Sequence, residues 1–273
     1  MGNYYLSISG GVGDIIKRYF WGHHGWNNLR YIKKQPNNKV KLIVNSSNPA
    51  AFELFKYNPH IDNIVVSKWI NPNTRQLPPA EFIKGYAALS NIRPPVKEII
   101  HDSTIYLSDK DKKELEDLKI ENKNIVMHPF AGQTQRMHLT TNYFYELALK
   151  IIDRYNCQVI ILGGDSRRAT WGDFVNIPES FQYRHDRILN LVNKTNLRLS
   201  TIIARKSSYF IGTNSCFYCT RLGDKTPATV YINTQPQDYL YNKELKHLRL
   251  AVREHIPIQV LSDKTLAEVK KFI

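Results

Sequence analysis

Three segments place residues with useful chemistry directly after a run that reads as a β-strand. The first is Ser9-Gly10-Gly11-Val12-Gly13-Asp14, which follows the β-rich run Tyr4–Ser9. Glycines let a backbone turn tightly and come close to a ligand. Asp14 closes this turn at the C-terminal mouth of the strand. A carboxylate there can take a proton from an attacking hydroxyl, and it can equally cap the helix that begins there. The second segment is His128-Pro129-Phe130-Ala131-Gly132-Gln133-Thr134-Gln135-Arg136. Backbone N–H groups together with Gln133, Thr134 and Arg136 can hold a diphosphate; the alternative is an ordinary strand-to-helix loop with an exposed arginine. His128 itself reads as a core or loop histidine. The third is Ile211-Gly212-Thr213-Asn214-Ser215-Cys216. Here a strand ends in small polar residues at a helix N-terminus, an anion-binding arrangement, with simple capping by Asn214 or Ser215 as the competing reading. A fourth candidate is Gly163-Gly164-Asp165 followed by Arg167 and Arg168, placed to meet a ribose or a base.

Several chemistries are missing from these segments. No Gly-Lys-Ser/Thr follows the first glycines, which argues against a P-loop. Ile16 stands where the third glycine of a dinucleotide-binding turn belongs, and Asn45 and Ser46 occupy the usual place of a ribose-binding acid. No His-Glu-x-x-His is present, and no metal is expected. Cys216 and Cys219 are spaced as a redox pair or half a zinc site. With Cys157 the chain's only other cysteine, two packed thiols on one helix face are expected instead.

The elements needed to position these segments alternate between strand and helix. Tyr4–Ser9, Lys41–Asn45 and Ile64–Ser67 read as strands, with a helix after Asp14 and a short one over Pro49–Lys56. Trp69–Pro95 carries five prolines and reads as loops and short helices. Ile105–Leu107 reads as a strand, and Ser108 as the cap of a helix to Leu118. A polar stretch, Lys119–Lys123, marks the domain boundary, giving residues 1–120 and 121–273. The second half repeats the rhythm. Strands are expected at Asn124–Pro129, Gln158–Leu162, Leu189–Val192, Tyr209–Gly212 and Ala228–Ile232. Helices are expected at Tyr143–Tyr155 (capped by Thr141 or Asn142), through Leu199–Ala204, at Ser215–Leu222 and at Ser262–Ile273. The last of these is free to pack back on the first domain. Alternation of this kind specifies α/β units with parallel sheets.

At 273 residues the chain is long enough for two domains, each with its own core. No apolar run nears the ~20 residues that span a bilayer. The first residues lack the basic flank and apolar centre of an export signal, and Leu6 is wrong for myristoylation. A cytoplasmic protein is expected. The formal net charge of +14 favours polyanionic partners: nucleic acid, an anionic membrane surface or a phosphorylated glycolipid.

In this order the segments resemble glycosyltransferase family nine, the ADP-heptose:lipopolysaccharide heptosyltransferases. The likeness runs from Tyr4 to about Asn233. Gly11-Val12-Gly13-Asp14 matches the family's opening turn. His128-Pro129-Phe130-Ala131-Gly132, then Arg136 and Leu139-Thr140-Thr141-Asn142, match its middle motif. Ile160–Gly164 matches its strand ending in two glycines, and Asn190-Leu191-Val192-Asn193-Lys194-Thr195-Asn196-Leu197 matches its Asn-Leu-x-x-Lys-Thr-x-Leu segment. Gly212-Thr213-Asn214-Ser215-Cys216-Phe217-Tyr218-Cys219 stands where the family has Gly-x-Asp-Ser/Thr-Gly-x-x-His. Asn214, Cys216 and Cys219 thus replace an acid, a glycine and a histidine, and Leu139 replaces a tryptophan.

The resemblance implies a GT-B fold: two Rossmann-like domains with parallel sheets facing a central cleft. It implies inverting, metal-independent transfer from a nucleotide-diphosphate sugar, a co-substrate rather than a cofactor, held mainly by the C-terminal domain. Asp14 would be the general base. Gln133, Thr134 and Arg136 would meet the donor phosphates, and Asn214, Ser215 and Cys216 the phosphate or sugar. Gly11, Gly13, Gly164 and Asp165 complete the expected donor-binding set. The acceptor would be a phosphorylated glycolipid core, as in lipopolysaccharide biosynthesis, reached by peripheral association at the inner membrane surface. A modified base in nucleic acid is the alternative acceptor. A non-catalytic nucleotide- or polyanion-binding protein is the alternative class, fed by Asn214 and Cys219.

Overall fold

The computed structural model describes residues 2–9, 12–13, 15–16, 26–35, 37–46, 49–68, 80–93, 104–129, 139–164, 184–224, 226–232, 247–252 and 258–273. It divides into two compact units, Met1–Asp111 and Lys112–Ile273. The division falls upstream of the polar stretch at Lys119–Lys123.

The N-terminal unit is built on β1 (Asn3–Ser9), α1 (Leu29–Lys33), β2 (Lys39–Ser46), β3 (Asn63–Lys68), α2 (Ala80–Ile83) and β4 (Ala87–Ala88). Single 3-10 turns precede α1 (Trp26–Asn28) and follow β2 (Pro49–Phe55) and β4 (Leu89–Asn91). The four strands are all parallel, in the order β3-β2-β1-β4. Leu6 and Ile8 lie beside Leu42 and Val44, and all four are buried. Trp26 stacks on Phe55 with ring centroids 5.1 Å apart, and both rings are buried. β4 has two residues, paired with Tyr4 and Tyr5 of β1, too few to leave a periodic signal. The strand expected at Ile105–Leu107 does not form. Ile105 is buried there as part of an irregular segment.

α3 (Asp109–Asp117) starts as the sequence implies. The Ser108 hydroxyl accepts from the Asp111 N–H at 3.1 Å, and the Asp111 carboxylate accepts from the Ser108 N–H at 2.9 Å. This reciprocal box satisfies two otherwise orphaned donors.

In the C-terminal unit follow β5 (Asn124–His128), α4 (Thr141–Tyr155), β6 (Gln158–Ile161), β7 (Ile188–Asn190), α5 (Leu197–Lys206), β8 (Tyr209–Thr213), α6 (Cys216–Asp224), β9 (Ala228–Ile232), β10 (His247–Ala251) and α7 (Ile258–Val269). The sheet is entirely parallel, in the order β10-β9-β8-β5-β6-β7. β5, β8 and β9 are buried at every residue, as expected for central strands covered on both faces. Phe144, Leu147, Ala148, Ile151 and Ile152 of α4 supply one wall of the core, and Leu261, Leu266 and Val269 of α7 join it.

Three expectations need correction. Thr140, one residue early, caps α4 by accepting from the Tyr143 N–H. α7 begins at Ile258, because Ser262 is not a cap but an inward-facing residue of the helix, 3% exposed. The closing helix packs in the core of its own unit. β10 is an additional edge strand with no counterpart in the sequence reading. Among the described residues no helix is long and apolar enough to cross a membrane.

Arg221 of α6 is completely buried. Its guanidinium donates to the carbonyls of Ala204 (2.9 Å), Arg205 (3.0 Å) and Ser207 (2.7 Å) at the end of α5. It also donates to the carbonyl of Pro227 (3.0 Å), just before β9. The C-terminus of a helix carries partial negative charge and unpaired carbonyls, so a cation there meets both needs. Replacing Arg221 by Met would leave those carbonyls buried and unpaired. We expect a loss of about 3 kcal/mol in denaturant unfolding, whereas an exposed control such as Arg184→Met should change stability by less than ~0.5 kcal/mol.

Candidate nucleotide-binding site

The C-terminal sheet changes direction at β5: β6 and β7 build outward on one side, and β8, β9 and β10 on the other. In open parallel sheets ligands bind at the carboxyl ends of the strands flanking such a switch point. Here those ends are His128 of β5 and Gly212 of β8, which are direct neighbours. A β-carbon on Gly212 would come within 3.0 Å of the His128 carbonyl oxygen and 3.0 Å of the Phe210 ring. A side chain there would require its neighbours to give by a few tenths of an ångström.

The His128 side chain turns toward the start of α6. Its Nδ1 lies 2.9 Å from the Ser215 hydroxyl, and its ring meets Phe217 edge-on with centroids 4.8 Å apart. Burial pushes its pKa down to about 3, so the imidazole is neutral at physiological pH. Ser215 is the residue before α6, and its hydroxyl accepts a long hydrogen bond of 3.5 Å from the Tyr218 N–H. It is therefore a cap, as the bland reading had it, and also a partner of His128.

Cys216 opens α6. Burial pushes its thiol up to about 12, which makes it a poor nucleophile. Cys219 lies one turn later and is buried, and none of the three cysteines is in a disulfide. The pair is helix packing. Among the described residues no cluster of metal-ligating side chains occurs. Asp109-Lys110-Asp111 spells Asp-x-Asp, but its second carboxylate is spent on the Ser108 cap.

The neighbouring strand ends complete the edge. After β6, Leu162 donates to the Met127 carbonyl, and the Gly163 carbonyl accepts from the Asn193 N–H at 3.0 Å. Asn193 holds a left-handed conformation, φ 58°, which an asparagine tolerates. Gly164 is exposed. β6 and β8 flank β5, so the segments carrying Gly164 and Asn214 leave the sheet on either side of it.

Gly164, Asn214, Ser215 and Cys216 are thus brought to one edge of one sheet. Gly13 belongs to the other unit, where Val12, Gly13, Ile15 and Ile16 are helical and Ile15 and Ile16 fully buried. Gly11, Asp14, Gln133, Thr134, Arg136 and Asp165 lie outside the described residues. At the carboxyl edge of the N-terminal sheet, Ser9, Asn45 and Ser67 form a lateral polar row. Asn45 is 2% exposed, and its amide oxygen has no hydrogen-bond partner.

His128 is the residue that sequence reasoning passed over. Its segment and that of Ser215 each follow a strand, but their meeting depends on β5 and β8 being adjacent, and strand order is not written in either segment.

No protein-family model and no curated protein matches the chain. Solved structures do. A glycosyl transferase of family 9 from Veillonella parvula DSM 2008 is 9% identical, with a TM-score of 0.60 over 99% of this chain and 97% of its own. The E. coli ADP-heptose lps heptosyltransferase II is 13% identical, with a TM-score of 0.56 over 99% of each chain. E. coli heptosyltransferase WaaC with ADP is 9% identical, with a TM-score of 0.56 over 97% of this chain and 99% of its own. At this identity the likeness shows the fold: two Rossmann-like units in GT-B order, as the motif resemblance implies.

The buried imidazole generates a stability signature. Folded His128 takes up a proton only near pH 3, whereas the unfolded ring does so near 6.5. Between those values the unfolded state binds more protons, so stability falls as pH drops from 6.5 toward 3. Unfolding in urea at pH 7 and pH 5 should show this contribution as roughly 2 kcal/mol. A His128→Phe variant should show a pH dependence shallower by that amount.

Proposed function

We propose that this protein is a glycosyltransferase moving a sugar from a nucleotide-diphosphate sugar to an acceptor hydroxyl. The observation that carries the reading is the β5/β8 switch point. There a helix start, a glycine in a tight approach and a neutral His128–Ser215 pair present an edge that carries no negative charge among the described residues. Such an edge suits the diphosphate of a nucleotide sugar. The whole-chain fold likeness to proteins named as heptosyltransferases supports it.

In this reading the C-terminal unit holds the donor and the N-terminal unit the acceptor. Asp14, at the turn after β1, takes the acceptor proton as its oxygen attacks the anomeric carbon. A single displacement inverts that centre. The charge developing on the departing nucleotide diphosphate is met by the start of α6, by Gln133 and Thr134, and by Arg136. That assignment gives the leaving group its counter-charge without a metal ion. Gly164 and Asp165 lie on the side of the nucleoside.

The acceptor we propose is a phosphorylated glycolipid core, approached at the inner membrane surface. The net charge of +14 supports a polyanionic acceptor, and the proteins similar to it in fold include one named for lipopolysaccharide. Cys219 is buried where the family resemblance places a histidine, which supports a donor sugar contacted differently from heptose.

Two measurements test the reading. Ligands that bind the native state raise its melting point, by about 2.7 kcal/mol of added stability at a hundredfold excess over Kd. Of ADP-, UDP- and GDP-sugars, one series should shift it clearly. Asp14→Asn should then bind that donor normally and transfer at least about a hundredfold more slowly. Transfer at the wild-type rate in that variant would remove Asp14 as the base, and no shift with any nucleotide sugar would remove the transferase reading.

A further inference from the structure

The His128 side chain joins two pieces of chain that the proposed reaction needs together. It ends β5, immediately before the segment assigned to the donor phosphates. Its ring touches the first turn of α6 twice, at the Ser215 hydroxyl (2.9 Å) and edge-on at Phe217 (4.8 Å). It is 5% exposed, and the bond to Ser215 is part-buried. We propose that His128 is a positioning residue for the donor diphosphate, acting through Ser215 to hold the start of α6 against the end of β5. This rests on the transferase reading above.

As a cap, Ser215 accepts from the Tyr218 N–H. Its remaining lone pair and its own proton let it pair with either tautomer of the neutral His128 ring. What the first turn of α6 offers an anion is its backbone N–H groups, and the His128–Ser215 bond sets where those groups stand. Loss of either side chain breaks the bond between them, and loss of Ser215 removes in addition only the long 3.5 Å cap, so the two losses should have similar consequences.

The two contacts can be separated. His128→Phe keeps an aromatic ring against Phe217 and deletes the bond to Ser215. His128→Asn places an amide near the Nδ1 position and restores a partner for Ser215 without the ring. The donor probe is the nucleoside diphosphate (ADP, UDP or GDP) that binds the wild type, followed by calorimetry and by transfer kinetics with delipidated lipopolysaccharide core oligosaccharide as acceptor. We expect His128→Phe and Ser215→Ala each to raise the Kd for the diphosphate and the donor KM about tenfold, the worth of one hydrogen bond in position. kcat should change much less. His128→Asn should recover most of the affinity. The double variant should be no worse than either single one, since coupled partners are not additive.

Wild-type affinity in His128→Phe would overturn the inference, as would additive losses in the double variant or a loss in His128→Asn equal to that in His128→Phe. If the wild type binds none of the three diphosphates, the transferase reading itself falls. If it binds one and His128→Phe binds it equally, only the role of His128 falls.

Discussion

A buried guanidinium organises the C-terminal unit. Arg221 is sealed from water, and it donates to the carbonyls at the end of α5 and before β9. Burying a charge without hydrogen-bond partners would cost many kcal/mol. Here the dipoles of a helix end help to balance it. Because Arg221 sits near the end of α6, this arrangement fixes that helix at its far end, while Ser215 and His128 fix its beginning. The helix start can face the strand edge reproducibly only because both ends are held.

The same economy governs the strand edge. β5 and β8 approach closely enough that a β-carbon at Gly212 would press on the His128 carbonyl. Close approach brings backbone groups and a neutral imidazole together and disfavours larger side chains. An edge built this way is polar and carries no negative charge among its described residues. Such a place favours interactions with developing charge. The cysteines on α6 add no chemistry of their own, since burial raises the Cys216 thiol far beyond the physiological range.

Much of this was legible in the chain. Apolar strand runs followed by glycine and hydroxyl residues located β1, β5, β6, β8 and β9 to within a residue or two. Ser108 announced α3 through its own side-chain chemistry. What stayed hidden has physical causes. The two residues of β4 form a strand only because β1 is there to pair with them. Ser262 carries the signature of a cap but turns inward, because Leu261 and Leu266 set the buried face of α7. Thr140 and Thr141 are chemically equal as caps, and only the backbone geometry chooses between them. The His128–Ser215 pair arises from residues 87 apart, and nothing local to either one names the other.

The hydroxyls buried between α4, β9 and α7 set one more constraint. Tyr143 and Tyr231 are 2.7 Å apart, Tyr231 and Thr265 are 2.7 Å apart, and Thr265 donates to the Leu261 carbonyl. Since the last proton is committed, each earlier hydroxyl must pass its own forward, and the row can run in only one sense. Oily surfaces tolerate a helix that rolls or slips by a fraction of a turn. A one-way line of hydroxyls does not, so the row narrows the rotational setting that Leu261 and Leu266 give α7 against the sheet.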